Sequence, residues 1–184
     1  MIRLIHGIRQ YKAEAHMEPL ADALVDMGLE SRHITYGPVL IPVTNARAVN
    51  AIMDECNDGD DLVGFSNGCW AIHQALELGL RPRNVFLISP ALNKAAEFPG
   101  VESVTVYHSK GDWPTWLSKW HRKATGLLPW RWRAPHGWGE MGRTGYTGES
   151  DNVTNYDMGS ATGHEWYNHP NIVRMIANDV ANAR

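Results

Sequence analysis

The stretch LVGFSNGCWAIHQALEL, residues 62–78, decides the fold. Its first four residues are apolar without alternation, as in a strand buried on both faces. From Asn67 to about Leu78 the apolar residues recur at helical spacing. Strand passes into helix within Gly64-Phe65-Ser66-Asn67-Gly68, so Ser66 sits on the turn itself. A side chain at Gly64 or Gly68 would collide with the neighbouring strand or helix. The helix start behind Ser66 offers unpaired N–H groups and the positive end of a dipole. The plainer reading of the same residues is a glycine-rich turn with a capping serine.

The pattern repeats on either side. MIRLI opens as a strand, residues 13–27 read as a helix, and Gly28 is a plausible stop. HITY (33–36) reads as a strand, and Thr44 as the cap of a helix reaching Cys56. VFLIS (85–89) and VTVYH (104–108) are two further apolar strands. NYDM (155–158) is a weak sixth, and a helix over residues 171–183 closes the chain. Alternating strands and helices predict an α/β fold: a three-layer sandwich around a mostly parallel sheet of about six strands. Ligands of such sheets bind beyond the carboxyl ends of the strands. His6-Gly7, Ser66, Ser89-Pro90, residues 109–112 and Gly163-His164 are therefore the positions of interest.

The 184 residues are read as one domain. Hydrophobic residues make up 43% and charged residues 20%, the balance of an ordinary soluble globular protein. A net charge of -3 gives no cationic field for nucleic acid. Two cysteines, Cys56 and Cys69, make neither a disulfide scaffold nor a zinc cluster. No metal or cofactor is expected. The N-terminal stretch, interrupted by Arg3 and His6, reads as neither signal peptide nor membrane span, and a cytoplasmic location is expected.

Residues 113–150 depart from the pattern. Between Trp113 and Gly139 stand five Lys/Arg residues (Lys119, Arg122, Lys123, Arg131, Arg133), no Asp or Glu, and six of the eight tryptophans. This segment is read as a lid-like insertion over the active face. Trp113, Trp116 and Trp120 are three and four apart and share one helix face. That face either packs onto the domain or meets an apolar substrate group. The basic residues are most simply a solvated face, though a peripheral contact with an anionic lipid surface is an alternative.

A serine hydroxyl needs a base to become a nucleophile, and the base needs an orienting carboxylate. VYHSKGD (106–112) ends a strand in a loop carrying Asp112. GSATGHEWYNHP (159–170) carries His164 just before the last helix. With LIHG (4–7) and GFSNG (64–68), these pieces resemble the small α/β-hydrolases, in particular short bacterial and phage forms. The resemblance implies an ester or related acyl bond cleaved through an acyl-enzyme. Ser66 would be the nucleophile, His164 the base and Asp112 the acid. It also implies an oxyanion hole from backbone N–H groups near Gly7 or Ile8 together with that of Asn67. His6, Trp113 and Trp116 are the expected substrate contacts, with packing of the loop a competing role for His6.

Rival residues have structural alternatives. His169 precedes Pro170 and suits a helix cap. His108 lies inside a strand and reads as a core histidine. His136 could line the pocket. Asp157 is the runner-up acid, and Asp151 suits a turn. Cys69 is more simply a small buried apolar residue than a second nucleophile. The expected substrate is a small-molecule or lipid-like ester. Two other activities share these residues: an acyltransferase with the same triad, and a catalytically idle module binding carbohydrate or lipid.

Overall fold

The computed structural model describes residues 1–7, 15–36, 45–117 and 137–184. Six strands form one sheet in the order β2-β1-β3-β4-β5-β6, every neighbouring pair parallel. They are β1 (Ile2–Ile5), β2 (Ser31–Ile34), β3 (Asp61–Phe65), β4 (Asn84–Ile88), β5 (Ser103–His108) and β6 (Val153–Asp157). The helices are α1 (Glu18–Asp26), α2 (Asn45–Glu55), α3 (Asn67–Glu77), the single turn α4 (Met141–Thr144) and α5 (Pro170–Asn182).

The strand sequences explain the layers. Alternate residues of a strand point to opposite faces, and here both faces are covered. Leu62, Val85, Leu87, Val104 and Val106 pack with α2 and α3. Val63, Phe65, Phe86, Ile88 and Tyr107 pack with α1 and α5. β3 and β4 are buried along their whole length, whereas the edge strand β6 is largely exposed. This three-layer sandwich is the predicted architecture, with every strand parallel. Among the described residues no helix is long and apolar enough to cross a membrane.

The chain runs from β1 outward to β2, then returns to place β3 on the other side of β1. The connections therefore diverge between β1 and β3, and a crevice opens at their carboxyl ends. Gly7 and Ser66 stand at its two sides.

Several boundaries move for local reasons. α1 starts at Glu18 rather than at residue 13, with Pro19 in its first turn, where the missing N–H costs nothing. Residues 13 and 14, and Thr44 with its expected cap, lie outside the described residues. β2 ends at Ile34, two residues before the expected end. Tyr36 leaves the strand direction to stack on His6, ring centroids 4.1 Å apart, and donates its hydroxyl to the His6 carbonyl.

The expected insertion divides in two. Residues 113–117 begin a helix, and 118–136 lie outside the described residues. Beyond them the chain enters the domain itself: Trp138, Met141 and Tyr146 are buried in the core on the α2–α3 face. Whatever 118–136 do, residues 137–146 are built into the body of the molecule.

Two predictions follow from packing. A β-carbon on Gly68 would lie 2.5 Å from the carbonyl oxygens of both Ile5 and His6. Backbone cannot yield as a flexible side chain can, so Gly68→Ala should cost about 2 kcal/mol or more. Thermal unfolding should show a Tm lower by roughly 4–8 °C; an unchanged Tm would refute the contact. The second concerns His108, half-buried at the end of β5, its Nδ1 without a hydrogen-bond partner among the described residues. Burial holds its pKa below the usual value, against the opposing pull of Asp157 and a backbone hydrogen bond to Arg143. The unfolded chain therefore binds the proton more readily, and stability falls as pH drops through about 6.5. Tm should decline from pH 7.5 to 5.5, and less steeply in His108→Gln.

Candidate active site

Ser66 is the residue preceding α3, at φ 54° and ψ −116°. A non-glycine residue at positive φ is strained, and such strain collects where side chains are presented for a task. The strain is held by bonds on both sides of the turn. The Ser66 N–H donates to the Ile88 carbonyl (2.9 Å), and its own carbonyl accepts from Cys69 and Ala91 (3.2 Å each). The glycines let the elements close in. A β-carbon on Gly64 would come within 2.6 Å of Ile72 Cδ1 and 3.1 Å of the Cys69 backbone. One on Gly7 would come within 3.1 Å of Ser66 Cβ, so the β1 exit loop touches the serine.

Asn67 opens α3 and is fully buried. Its Oδ1 accepts a hydrogen bond from Trp138 Nε1 at 3.1 Å. The N–H groups of this first turn have no carbonyl a turn below them inside the helix. Together they form the positive end of the helix dipole, beside Ser66. Ile8, expected to supply a second donor, lies outside the described residues.

The carboxylate comes from the loop after β5. Asp112 is fully buried, which is costly for a carboxylate unless its oxygens are paired. Oδ1 accepts from the Thr115 N–H (3.1 Å), which starts the helical turn at 113–117. His164 Nδ1 lies 3.0 Å from Oδ1 and 3.1 Å from Oδ2. A carboxylate only accepts, so the ring donates from Nδ1 and presents Nε2 on its other edge. The His164 ring packs 4.9 Å from that of Phe65, the residue before Ser66.

A second serine joins the two loops. Ser109 Oγ donates to the Gly159 carbonyl (2.7 Å) and accepts from the N–H groups of Gly111 and Gly163 (3.2 Å each). The acid loop and the histidine loop are thereby tied to one atom. Ser66, Asp112 and His164 thus lie on the three separate segments that follow the carboxyl ends of β3, β5 and β6. Among the described residues Ser66 Oγ makes no hydrogen bond with the imidazole; such bonds often tighten only around a substrate. A serine on a strained turn, an imidazole held by a buried carboxylate, and helix N–H donors are the parts from which acyl transfer is built.

The other expected residues fall as follows. His6, expected as a substrate contact, is 1% exposed. Its ring packs on Tyr36, with Nδ1 2.9 Å from the Gly7 carbonyl, as the competing loop-packing role requires. Trp113 is 60% exposed and meets the half-buried Trp116 edge to face at 5.0 Å. Arg143 lies over both rings, at 5.9 and 5.8 Å. Trp120, Trp130, Trp132, His136 and the five basic residues lie outside the described residues. His169 does stand at the start of α5, but its side chain makes no capping bond. Asp157 and Asp151 are exposed, and Asp157 caps Gly159. Cys69 is fully buried, and burial pushes its thiol well up, away from a reactive thiolate. Among the described residues no cluster of His, Cys, Asp and Glu could hold a metal ion.

Three residues near the site belong to no motif of the sequence. His16 stacks on Tyr167 (4.4 Å) and meets the edge of Phe65 (5.8 Å), beside His164. Burial, and then the nearby His164, hold its pKa below the usual value. Trp138 Nε1–H donates to Asn67 Oδ1. Gly142 has no room for a β-carbon, which would lie 2.9 Å from Asp112 Oδ2. Only the first could have been suspected, as a histidine following the first strand's loop.

No family model matches the chain, and no curated protein matches it by sequence. Solved structures do resemble it. Mouse alpha/beta hydrolase domain-containing protein 10 superposes with a TM-score of 0.66 at 10% identity, over 98% of this chain and 88% of its own. A hydrolase assigned to the alpha/beta superfamily from Xanthomonas campestris gives 0.58 at 15% identity, over 100% and 98%. Carboxylesterase CesB of Bacillus subtilis gives 0.55 at 12% identity, over 97% and 82%. At such identities the likeness is one of backbone architecture, and it extends over nearly the whole length. The chain has the fold of the α/β-hydrolases.

Proposed function

We propose that the chain is a serine hydrolase cleaving an ester or related acyl bond through an acyl-enzyme. One observation carries this reading: a half-exposed serine on a strained turn shares the sheet edge with an imidazole held by a buried carboxylate. The names of the structural neighbours, a carboxylesterase among them, point the same way.

In this reading Ser66 Oγ attacks the substrate carbonyl carbon, and its proton passes to His164 Nε2. Asp112 keeps the ring in the tautomer that can accept it and stabilises the imidazolium. The carbonyl oxygen becomes an oxyanion, met by the Asn67 N–H and by a donor from the loop after Gly7, where Ile8 stands. As the tetrahedral species collapses, the bond to the leaving oxygen breaks and His164 returns the proton to it. Water then repeats the sequence on the acyl-enzyme and frees Ser66. The substrate is a small-molecule or lipid-like ester, with Trp113 as the apolar surface nearest the acid loop.

Ser66→Ala should keep its Tm and lose roughly 10³-fold to 10⁶-fold in kcat on an aryl ester. A fluorophosphonate should label the wild type and not this variant; labelling of both, or full turnover by the variant, would sink the nucleophile assignment. Across aryl esters of increasing acyl length, Trp113→Ala should raise KM about tenfold for the longest acyl groups, the scale of ~1.4 kcal/mol of lost apolar contact. It should leave the acetate unchanged. A uniform change along the series would remove Trp113 from the substrate surface.

A further inference from the structure

We propose that Arg143, seated on Trp113 and Trp116, binds a carboxylate at the far end of the substrate's acyl group. This rests on the hydrolase reading above and narrows its substrates to esters whose acyl chain ends in a negative charge.

The arginine is built on a fixed turn. The Gly142 N–H donates to the Pro90 carbonyl (2.8 Å), and the Gly142 carbonyl accepts from the Ser109 N–H (2.9 Å). The Arg143 N–H donates to the Glu140 carbonyl (2.9 Å), and His108 bonds to the Arg143 backbone. Hence α4 is tied to the loops after β4 and β5 and to the end of β5 itself. It lies close beside the acid loop: a β-carbon on Gly142 would come within 2.9 Å of Asp112 Oδ2 and 2.8 Å of Thr115 Cγ2. Trp113 is the residue after Asp112. The arginine and the tryptophan are therefore both anchored at the carboxylate that holds His164. A binding group placed on such bonded elements keeps its geometry.

The side chains then assemble a receptor for an anion. The guanidinium carbon of Arg143 lies 5.9 and 5.8 Å from the ring centres of Trp113 and Trp116, within reach of a cation–π contact. The rings attract the cation but do not neutralise it. Arg3, Arg32, Arg83 and Arg184 each meet a carboxylate; among the described residues none pairs with Arg143. The sequence from Trp113 to Gly139 holds no Asp or Glu to serve, and its five Lys and Arg residues carry the same sign of charge. A guanidinium presents its N–H donors in a planar fork that fits a carboxylate through two bonds. Beside it, Trp113 and Leu117 are 60% and 53% exposed and stand one turn apart on the same helix face. Apolar surface followed by an uncompensated cation is the complement of an aliphatic chain followed by a carboxylate. An acyl group attached to Ser66 and lying over Trp113 meets Arg143 at its end.

The test compares monoaryl esters of dicarboxylic acids, from succinate to suberate, with aryl esters of monocarboxylic acids of equal chain length. Release of the phenol is followed for wild type, Arg143→Met, Arg143→Gln, Arg143→Lys and Ser66→Ala, the last giving the spontaneous rate. In the wild type, kcat/KM should favour the charged ester by about fivefold to twentyfold at the best chain length, the scale of a partly exposed charged hydrogen bond. In about 1 M salt that ratio should fall near unity, since charges are then screened beyond ~3 Å. Arg143→Met and Arg143→Gln should bring it near unity at low salt, chiefly through KM. Arg143→Lys keeps the charge without the planar fork and should retain about twofold or more. A wild-type ratio near unity at every chain length would overturn the proposal. So would a ratio that survives in Arg143→Met and Arg143→Gln, or a preference seen only when the carboxylate is placed on the leaving phenol. A loss shared equally by charged and neutral esters would make Arg143 a packing residue only. In each of these cases Ser66-dependent turnover remains and the hydrolase reading stands. If instead no ester shows Ser66-dependent turnover, the hydrolase reading falls and this inference with it.

Discussion

The whole arrangement depends on how closely α3 approaches β1. Gly68 lies so near the end of that strand that a single β-carbon would strike the carbonyl oxygens of Ile5 and His6. Gly64 permits the same closeness between β3 and the helix it feeds. With both glycines in place, the helix start is driven up against the sheet edge. Ser66 then has no relaxed backbone conformation to adopt. Its positive φ is the geometric consequence of joining a buried strand to a buried helix without a loop. The strain is balanced by backbone bonds to β4 and its exit loop.

The second constraint is electrostatic. Asp112 is completely buried, and a buried carboxylate persists where its oxygens are paired. The Thr115 N–H and His164 Nδ1 supply that pairing. Burial therefore does two things at once: it excludes water, and it makes the imidazole's orientation a condition of stability. Ser109, placed between the acid and histidine loops, makes their separation equally inflexible. Gly142 and Trp138 extend the same framework toward the serine. The segment that looked in sequence like a cover over the site is, from residue 137 onward, part of its frame.

Much of this was legible in the residues. The apolar runs at 62–65, 85–89 and 104–108 announce strands buried on both faces, because only a sheet covered twice tolerates them. The order of Ser66, Asp112 and His164, each just past a strand or before a helix, marks the residues that the fold brings to one edge. Legibility fails where long-range contacts override local preference. HITY ends early as a strand because Tyr36 finds His6, some thirty residues distant in the chain. His6, promising beside a glycine, makes that same contact. His16, Trp138 and Gly142 follow no motif, since their importance lies in partners that sequence spacing does not encode.

What the sequence determined by itself is the alternation of elements, and with it the parallel sheet and the edge at which its ligands gather. Period and hydrophobicity are local properties, and a chain of this pattern has few other ways to bury its strands. What only the tertiary structure decided is which side chains face that edge and how firmly. The elbow of LVGFSNG was visible as five letters. That Trp138 grips the residue after its serine, and that Gly142 leaves room for Asp112, depends on distances of a few ångströms across segments about seventy and thirty residues apart. Close packing sets those distances, and it exists only once the whole core has formed.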